Sequence, residues 1–173
     1  MADEADVRLF ELAKNVDTTM HQMSAELSVK TSLYLVFAAF VFSASLQLMN
    51  FSKDLHSYAA IAICGIGAVV SLLSAIALLI AALVRKYKLF PAQDMKSWMA
   101  QIDEYKREYP DASVEDRSTA ILETLIETAD ANQIVNETRS DWVECGAWLL
   151  FAALPFLAIG GGIAVYVCLS HLS

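Results

Sequence analysis

Three long stretches of the chain contain no Asp, Glu, Lys, Arg or His: Thr31–Phe51, Ser57–Val84 and Gly146–Leu169. At about 1.5 Å per residue, an α-helix formed by any of them is long enough to cross a hydrocarbon core of about 30 Å. One such stretch is also compatible with a helix buried in a soluble protein, but three in one chain are typical of a membrane protein. The pattern therefore predicts an all-α membrane protein with three transmembrane helices.

The segment before the first span is amphipathic. Its apolar residues recur at alternating intervals of four and three positions, at Leu9, Ala13, Val16, Met20, Met23 and Leu27. This heptad spacing predicts a helix that packs either against other helices of the chain or against a second copy. No Gly or Pro occurs before Gly65, so this helix is expected to continue into the first span.

The segment between the second and third spans is also expected to be helical. Phe90-Pro91 should end the second transmembrane helix, and the apolar spacing over 95–109 predicts an amphipathic helix. Ser113–Asp116 resembles a capping box, which marks the start of a further helix. No Gly or Pro interrupts that helix before Gly146, so it can continue into the third span.

These patterns divide the chain into five parts: a cytoplasmic amphipathic helix (1–30), the first (31–51) and second (57–84) transmembrane helices, a cytoplasmic helical bundle (85–145) and the third transmembrane helix (146–169). The bases near the span ends lie mostly on one side, at Lys14, Lys30, Arg85, Lys86, Lys88, Lys96 and Arg139, with Lys53 alone on the other. By the positive-inside rule, we expect the N-terminus and 85–145 to be cytoplasmic and the C-terminus to lie outside. The expected location of this multi-pass protein is the cell inner (plasma) membrane.

Composition and charge narrow the possible functions. The chain is 57% hydrophobic, whereas soluble domains have about 45–50% apolar residues. Its formal net charge is −8, so it lacks the basic surface that nucleic acids require, and nucleic acid is not expected as a partner. The sequence has no nucleophile–base set, metal-ligand spacing or phosphate-binding loop, so neither an enzyme nor a cofactor is predicted.

Small residues follow one face of the second span, at Ala60, Cys64, Gly67, Ser71, Ser74, Ala77 and Ala81. Small side chains let helix backbones approach closely in lipid, so this face is predicted to pack against another helix. The first span, the third span and another subunit all remain possible partners.

A polar stripe follows one face of the first span, with Ser43, Gln47 and Asn50 as its main members. Such side chains turn toward protein or water inside a bilayer. They either form hydrogen bonds between helices or line a water-filled pathway in an oligomer. No ionisable residue is expected at membrane depth, which argues against proton relay and voltage sensing.

The third span contains Pro155 and the triplet Gly160, Gly161 and Gly162. Both features weaken a helix, so a kink or hinge is predicted there. Such a kink could allow gating, or the missing side chains could make room for a bulky neighbouring residue.

The helix before the third span has a heptad face made of Leu122, Leu125, Ala129, Asn132, Asn136, Arg139 and Val143. If this face is buried, Asn132, Asn136 and Arg139 are candidates for fixing the register of packing and for regulation. In the alternative, a short apolar patch ends near Ala129 and both Asn residues are solvated.

Several short motifs occur in a characteristic order. They are Ala25-Glu-Leu-Ser-Val-Lys30 where the chain enters the membrane, a two-helix hairpin, Ala129–Ala131, and Arg139-Ser-Asp-Trp142 before the last span. This order resembles small membrane effectors of bacterial anti-phage systems, the Pycsar transmembrane effectors and the related SLATT proteins. The resemblance implies an inner-membrane protein that assembles or opens when a nucleotide or a partner signals, and so compromises the membrane.

Two functional hypotheses follow. In the first, the chain forms a homo-oligomer in membrane lipid and acts as a pore-forming or membrane-disrupting effector under control of its cytoplasmic helices. In the second, it is a non-conducting scaffold or accessory subunit whose cytoplasmic helices dock a protein partner.

Overall fold

The computed structural model describes residues 4–84 and 95–172. These residues form four helices, α1 (Glu4–Asp54), α2 (Tyr58–Leu83), α3 (Met95–Glu108) and α4 (Val114–Leu172), and no strand occurs within the described ranges. The all-α class is therefore confirmed. The predicted helix break at Phe90-Pro91 and the bases Arg85, Lys86 and Lys88 lie outside the described residues.

Within 4–84 and 95–172, three helices are long and apolar enough to cross a membrane: Val7–Asp54, Tyr58–Leu83 and Val114–His171, with mean hydropathies of 1.8, 2.7 and 2.1 in their most apolar windows. Two of them extend well beyond the uncharged stretch that each contains. α1 is continuous because neither Gly nor Pro occurs in it, as expected from the sequence. α4 is assigned as helix throughout, including Pro155.

A Schellman motif ends α1 and fixes the turn before α2. The Ser57 N–H donates to Ser52 O at 2.9 Å and the His56 N–H to Lys53 O at 3.0 Å. His56 occupies the left-handed region with φ of 55°. These two bonds satisfy carbonyls that the helix end leaves unpaired, and they reverse the chain within three residues. α1 continues to Asp54, beyond the end of the first span predicted at residue 51.

The predicted capping box begins α4. The Asp116 N–H donates to Ser113 Oγ at 3.1 Å, and Asp116 Oδ2 accepts from Ser113 Oγ at 2.7 Å and Ser113 N–H at 3.1 Å. The hydroxyl bond, and then the backbone bond, hold the pKa of Asp116 below its usual value because both favour the carboxylate. The box thus provides hydrogen-bond acceptors for free N–H groups at the start of the helix. The negative charge of the carboxylate also interacts favourably with the helix dipole.

The chain forms two compact units, which are described separately. Unit 1 comprises Met1–Glu26 and Arg85–Glu137. Its core consists of Ala13, Trp98, Ile102 and Leu125, with Leu9, Phe10, Val16, Met99 and Ile121 packed against it. The heptad face of α1 thus packs within the chain in its first turns, whereas Met23 at the end of that face is 46% exposed.

Unit 2 comprises Leu27–Val84 and Thr138–Ser173 and contains the three uncharged stretches. One of its cores joins Ala38 and Val41 of α1 to Leu150 and Ala153 of α4. The other joins Leu78 and Ala81 of α2 to Val143. Of the three candidate spans, α2 is the most enclosed, since 39% of its most apolar window is buried, against 17% for α1 and 22% for α4.

Candidate functional site: polar and small-residue faces of the helices

The small-residue face of α2 is buried inside the chain. Every residue predicted for it is buried: Ala60, Cys64, Gly67, Ser71, Ser74, Ala77 and Ala81. A Cβ built on Gly67 would lie 3.2 Å from Phe156 Cβ, 3.4 Å from Ser45 Oγ and 3.6 Å from Ala153 O. The face therefore packs against α1 and α4 of the same chain, with glycine at a point of close approach.

Two glycines of α4 complete this packing from the other side. A Cβ on Gly146 would lie 2.6 Å from Leu78 Cγ, and one on Gly160 would overlap Cys64 Sγ. The Ser74 hydroxyl donates to Gly146 O at 2.6 Å. A hydrogen bond between the helices thus joins the close contact, as is common where small residues meet in lipid.

The residues of the predicted hinge differ in their surroundings. Gly160 is buried against Cys64, so its lack of a side chain admits a neighbour. A Cβ on Gly161 would meet only Leu48, and one on Gly162 would meet nothing within 4 Å. Pro155 is exposed and lies inside the continuous helix. A hinge at this place stays a prediction, and Gly162 is the glycine that no contact in the described residues explains.

The polar stripe of α1 faces outward from unit 2. Ser43, Gln47 and Asn50 are all exposed, whereas Val41 before them and Ser45 between them are buried. None of the three exposed side chains has a hydrogen-bond partner among the described residues. They therefore do not link helices within the described part of the chain, and hydrogen bonds between helices of different copies or a water-filled pathway stay predictions.

The inward face of α1 carries two serines that the sequence analysis did not single out. Ser45 and Ser52 are 0% exposed, and neither Oγ atom has a hydrogen-bond partner within the described part of the chain. A buried polar group without a partner costs about 1–3 kcal/mol. Their spacing of seven residues, shared with buried Ala38, was the available signal, because it places them on one helix face.

Arg139 lies inside unit 2 with 1% of its surface exposed. Its Nε–H donates to Ala81 O at 3.3 Å and its Nη2–H to Ser28 Oγ at 3.0 Å. Ala81 belongs to the last turn of α2, where carbonyls lack partners in the helix, so the guanidinium caps α2 and joins it to α1 and α4. Arg139 thus contacts the last turn of the second uncharged stretch from a neighbouring helix, and the expectation of no ionisable group at membrane depth stays a prediction.

In unit 1, Asn132 and Asn136 are buried, with exposures of 3% and 2%. Asn136 Nδ2 donates to Met20 Sδ of α1 at 3.8 Å. The solvated alternative for these two residues was therefore wrong. The buried face also differs from the predicted one, because Thr128 is buried while Leu122 is 38% exposed.

Among the described residues, no group of three or more His, Cys, Asp or Glu side chains is placed to hold a metal ion. No protein-family model matches the chain, and neither does a curated protein or a solved structure. The faces described above are therefore the features from which function must be inferred.

Proposed function

We propose that the chain self-associates in a membrane through the polar stripe of α1 and that the assembly forms a pore or disrupts the bilayer. The observation that carries this proposal is the outward position of Ser43, Gln47 and Asn50 within or at the end of an uncharged span. No helix among the described residues covers them.

The physical argument concerns the surroundings of these side chains in a bilayer. A Gln amide transferred into hydrocarbon without hydrogen bonds costs several kcal/mol, about 2–7 for an amide or hydroxyl. Ser43 and Gln47 are one helical turn apart and point the same way. Association through this face lets the stripes of neighbouring copies bond to one another or to water in a pathway between them.

The other candidate for assembly, the small-residue face of α2, supports packing within the chain. Its residues are buried against α1 and α4, so they are not accessible to another subunit in this conformation. Assembly through α1 leaves that packing intact.

Topology, location and control belong to the same proposal. The positive-inside rule favours a cytoplasmic N-terminus and a cytoplasmic 85–145, and the location proposed is the inner membrane. The resemblance to Pycsar transmembrane effectors and SLATT proteins favours a role in bacterial anti-phage defence. Unit 1 then regulates the assembly, in response to a cytoplasmic protein partner or a nucleotide.

The test combines oligomer mass in detergent with dye release from liposomes. The triple variant Ser43→Ala, Gln47→Leu, Asn50→Leu should form smaller assemblies and release dye at least about tenfold more slowly, since loss of about 1.4 kcal/mol changes an equilibrium tenfold. Ser170→Ala is the matched control, because this exposed hydroxyl donates to Val167 O of its own helix at 2.8 Å. It should behave like the parent.

The outcomes separate the two functional hypotheses. If the parent protein is a monomer and leaves liposomes sealed, the pore proposal is wrong and the scaffold alternative stands. If the triple variant assembles and releases dye as the parent does, the polar stripe of α1 has no role in the activity.

A further inference from the structure

Unit 1 has an apolar groove on its surface between α1 and α4. The groove has a volume of about 90 Å³ and is lined by Leu12, Ala13, Val16, Leu122, Leu125, Ile126 and Ala129. Three of these side chains are well exposed, Leu12 at 48%, Leu122 at 38% and Ile126 at 51%. Contiguous exposed apolar side chains beside charged ones commonly mark an interaction site.

The charges beside the groove have one sign along α4. Within the part of α4 that belongs to unit 1, the exposed charged residues are Glu115, Asp116, Glu123, Glu127, Asp130 and Glu137. The only base in this part is Arg117, and it is 6% exposed. All the exposed charges on this part of α4 are therefore acidic.

The acids and the apolar residues are in register. Leu122, Ile126 and Ala129 follow the spacing of one helix face. Glu123, Glu127 and Asp130 each come one position later and are exposed, so they form an acidic row about 100° around the helix from the apolar residues. An apolar groove with a charged edge is the surface on which an amphipathic helix docks by its apolar face.

We propose that this groove docks a cationic amphipathic helix of another protein. Apolar side chains of that helix enter the groove, and its Lys or Arg residues face the acidic row. A second copy that pairs through α4 fits poorly, because it would place one acidic row against the other. This site names a partner for the proposed regulation by unit 1, but its test does not depend on pore formation.

The experiment uses the full-length protein in nanodiscs of uncharged phosphatidylcholine. The probe is a fluorescein-labelled synthetic helix about four turns long, with Leu on one face and Lys beside it. Its twin has Glu in place of every Lys. Fluorescence anisotropy should show saturable binding of the cationic probe above the background of empty nanodiscs, and at least about tenfold weaker binding of the twin. Added salt should weaken the cationic complex, since the Debye length falls to about 10 Å at about 0.1 M.

Variants of α4 locate the binding surface. Ile126→Ser should lower affinity for the cationic probe about tenfold, because a partly exposed apolar side chain no longer becomes buried on binding. The double variant Glu123→Lys, Glu127→Lys should remove the preference for the cationic probe. The matched charge control is Asp103→Lys, Glu104→Lys on exposed positions of α3, and it should retain that preference.

The experiment distinguishes a cationic helix from the other possible occupants of the groove. Equal binding of both probes, or binding that Ile126→Ser leaves unchanged, would overturn the proposal. So would absence of binding to the parent protein. If Ile126→Ser instead reduces the oligomer mass, a second copy covers the groove and the cationic partner is wrong. The pore proposal is tested with variants of α1 and by dye release. Its failure can therefore be distinguished from failure of the docking proposal.

Discussion

Arg139 places a charged side chain among the packed helices of unit 2, where burial of a charge is expensive unless hydrogen bonds compensate. Its guanidinium donates to α2 through Ala81 O and to α1 through Ser28 Oγ. Arginine suits this place because its planar group presents several N–H donors in a fixed arrangement. The residue thus connects three helices at one end of the uncharged stretches.

We expect Arg139→Ala to destabilise the protein by about 3 kcal/mol, because each hydrogen bond to a charged group contributes about 1.5–3 kcal/mol. Thermal unfolding in detergent measures this change. Arg139→Lys should restore only part of the stability, since an ammonium on a flexible stem does not reproduce both bonds. Arg8→Ala is the control, because the Arg8–Glu4 ion pair is largely exposed (76% and 80%) and such pairs contribute little. Equal melting temperatures for Arg139→Ala and the parent would contradict the capping role.

At the scale of the helices, α2 and α4 approach each other closely at glycines of α4. Gly160 faces Cys64, and an added Cβ would overlap Cys64 Sγ. Gly162 lies half a turn further along and has no neighbour within 4 Å. Both glycines lie inside the same helix, but only Gly160 lies in the contact with α2.

This difference leads to a paired prediction. Gly160→Ala should lower the melting temperature in detergent, because α2 and α4 must separate or Cys64 must move. Gly162→Ala should raise it slightly, since Ala is favoured over Gly in a helix by about 1 kcal/mol. If Gly162→Ala instead reduces dye release without loss of stability, the glycine acts as a hinge. Equal destabilisation by both substitutions would contradict the packing of Gly160.

The helices were largely predictable from the sequence because their signals are local. Uncharged length indicates the spans, and Ser113 with Asp116 indicates the start of α4, where the predicted bonds are present. The direction in which each face points was not predictable. Ser43 and Ser45 have the same side chain two positions apart, yet one is exposed and the other is buried. Only contacts with other helices decide between them, and small residues serve packing within and between chains equally well.

At the scale of the molecule, the contacts of unit 2 give the directions of its helices. Along α1 from Ser28 to Ser45, the facing residues of α4 advance from Arg139 to Ala153, so these helices are parallel. The residues of α2 recede from Ala81 to Gly67 over the same interval, so α2 is antiparallel to both. If the uncharged stretches cross a membrane, the ends of the third stretch must lie on opposite sides.

Two native cysteines test this arrangement and the expected orientation. Cys145 is exposed and Cys168 half-buried, and at about 1.5 Å per residue they are separated by about the thickness of a bilayer. Variants with one of them replaced should react differently with a membrane-impermeant maleimide applied to intact bacterial cells. Cys145→Ser, which keeps Cys168, should be labelled, whereas Cys168→Ser should be labelled only after permeabilisation. Cys64 is buried in both variants and should stay unlabelled. The reverse pattern would place Lys53 on the cytoplasmic side, contrary to the positive-inside rule, and unit 1 would then be unable to receive a cytoplasmic signal.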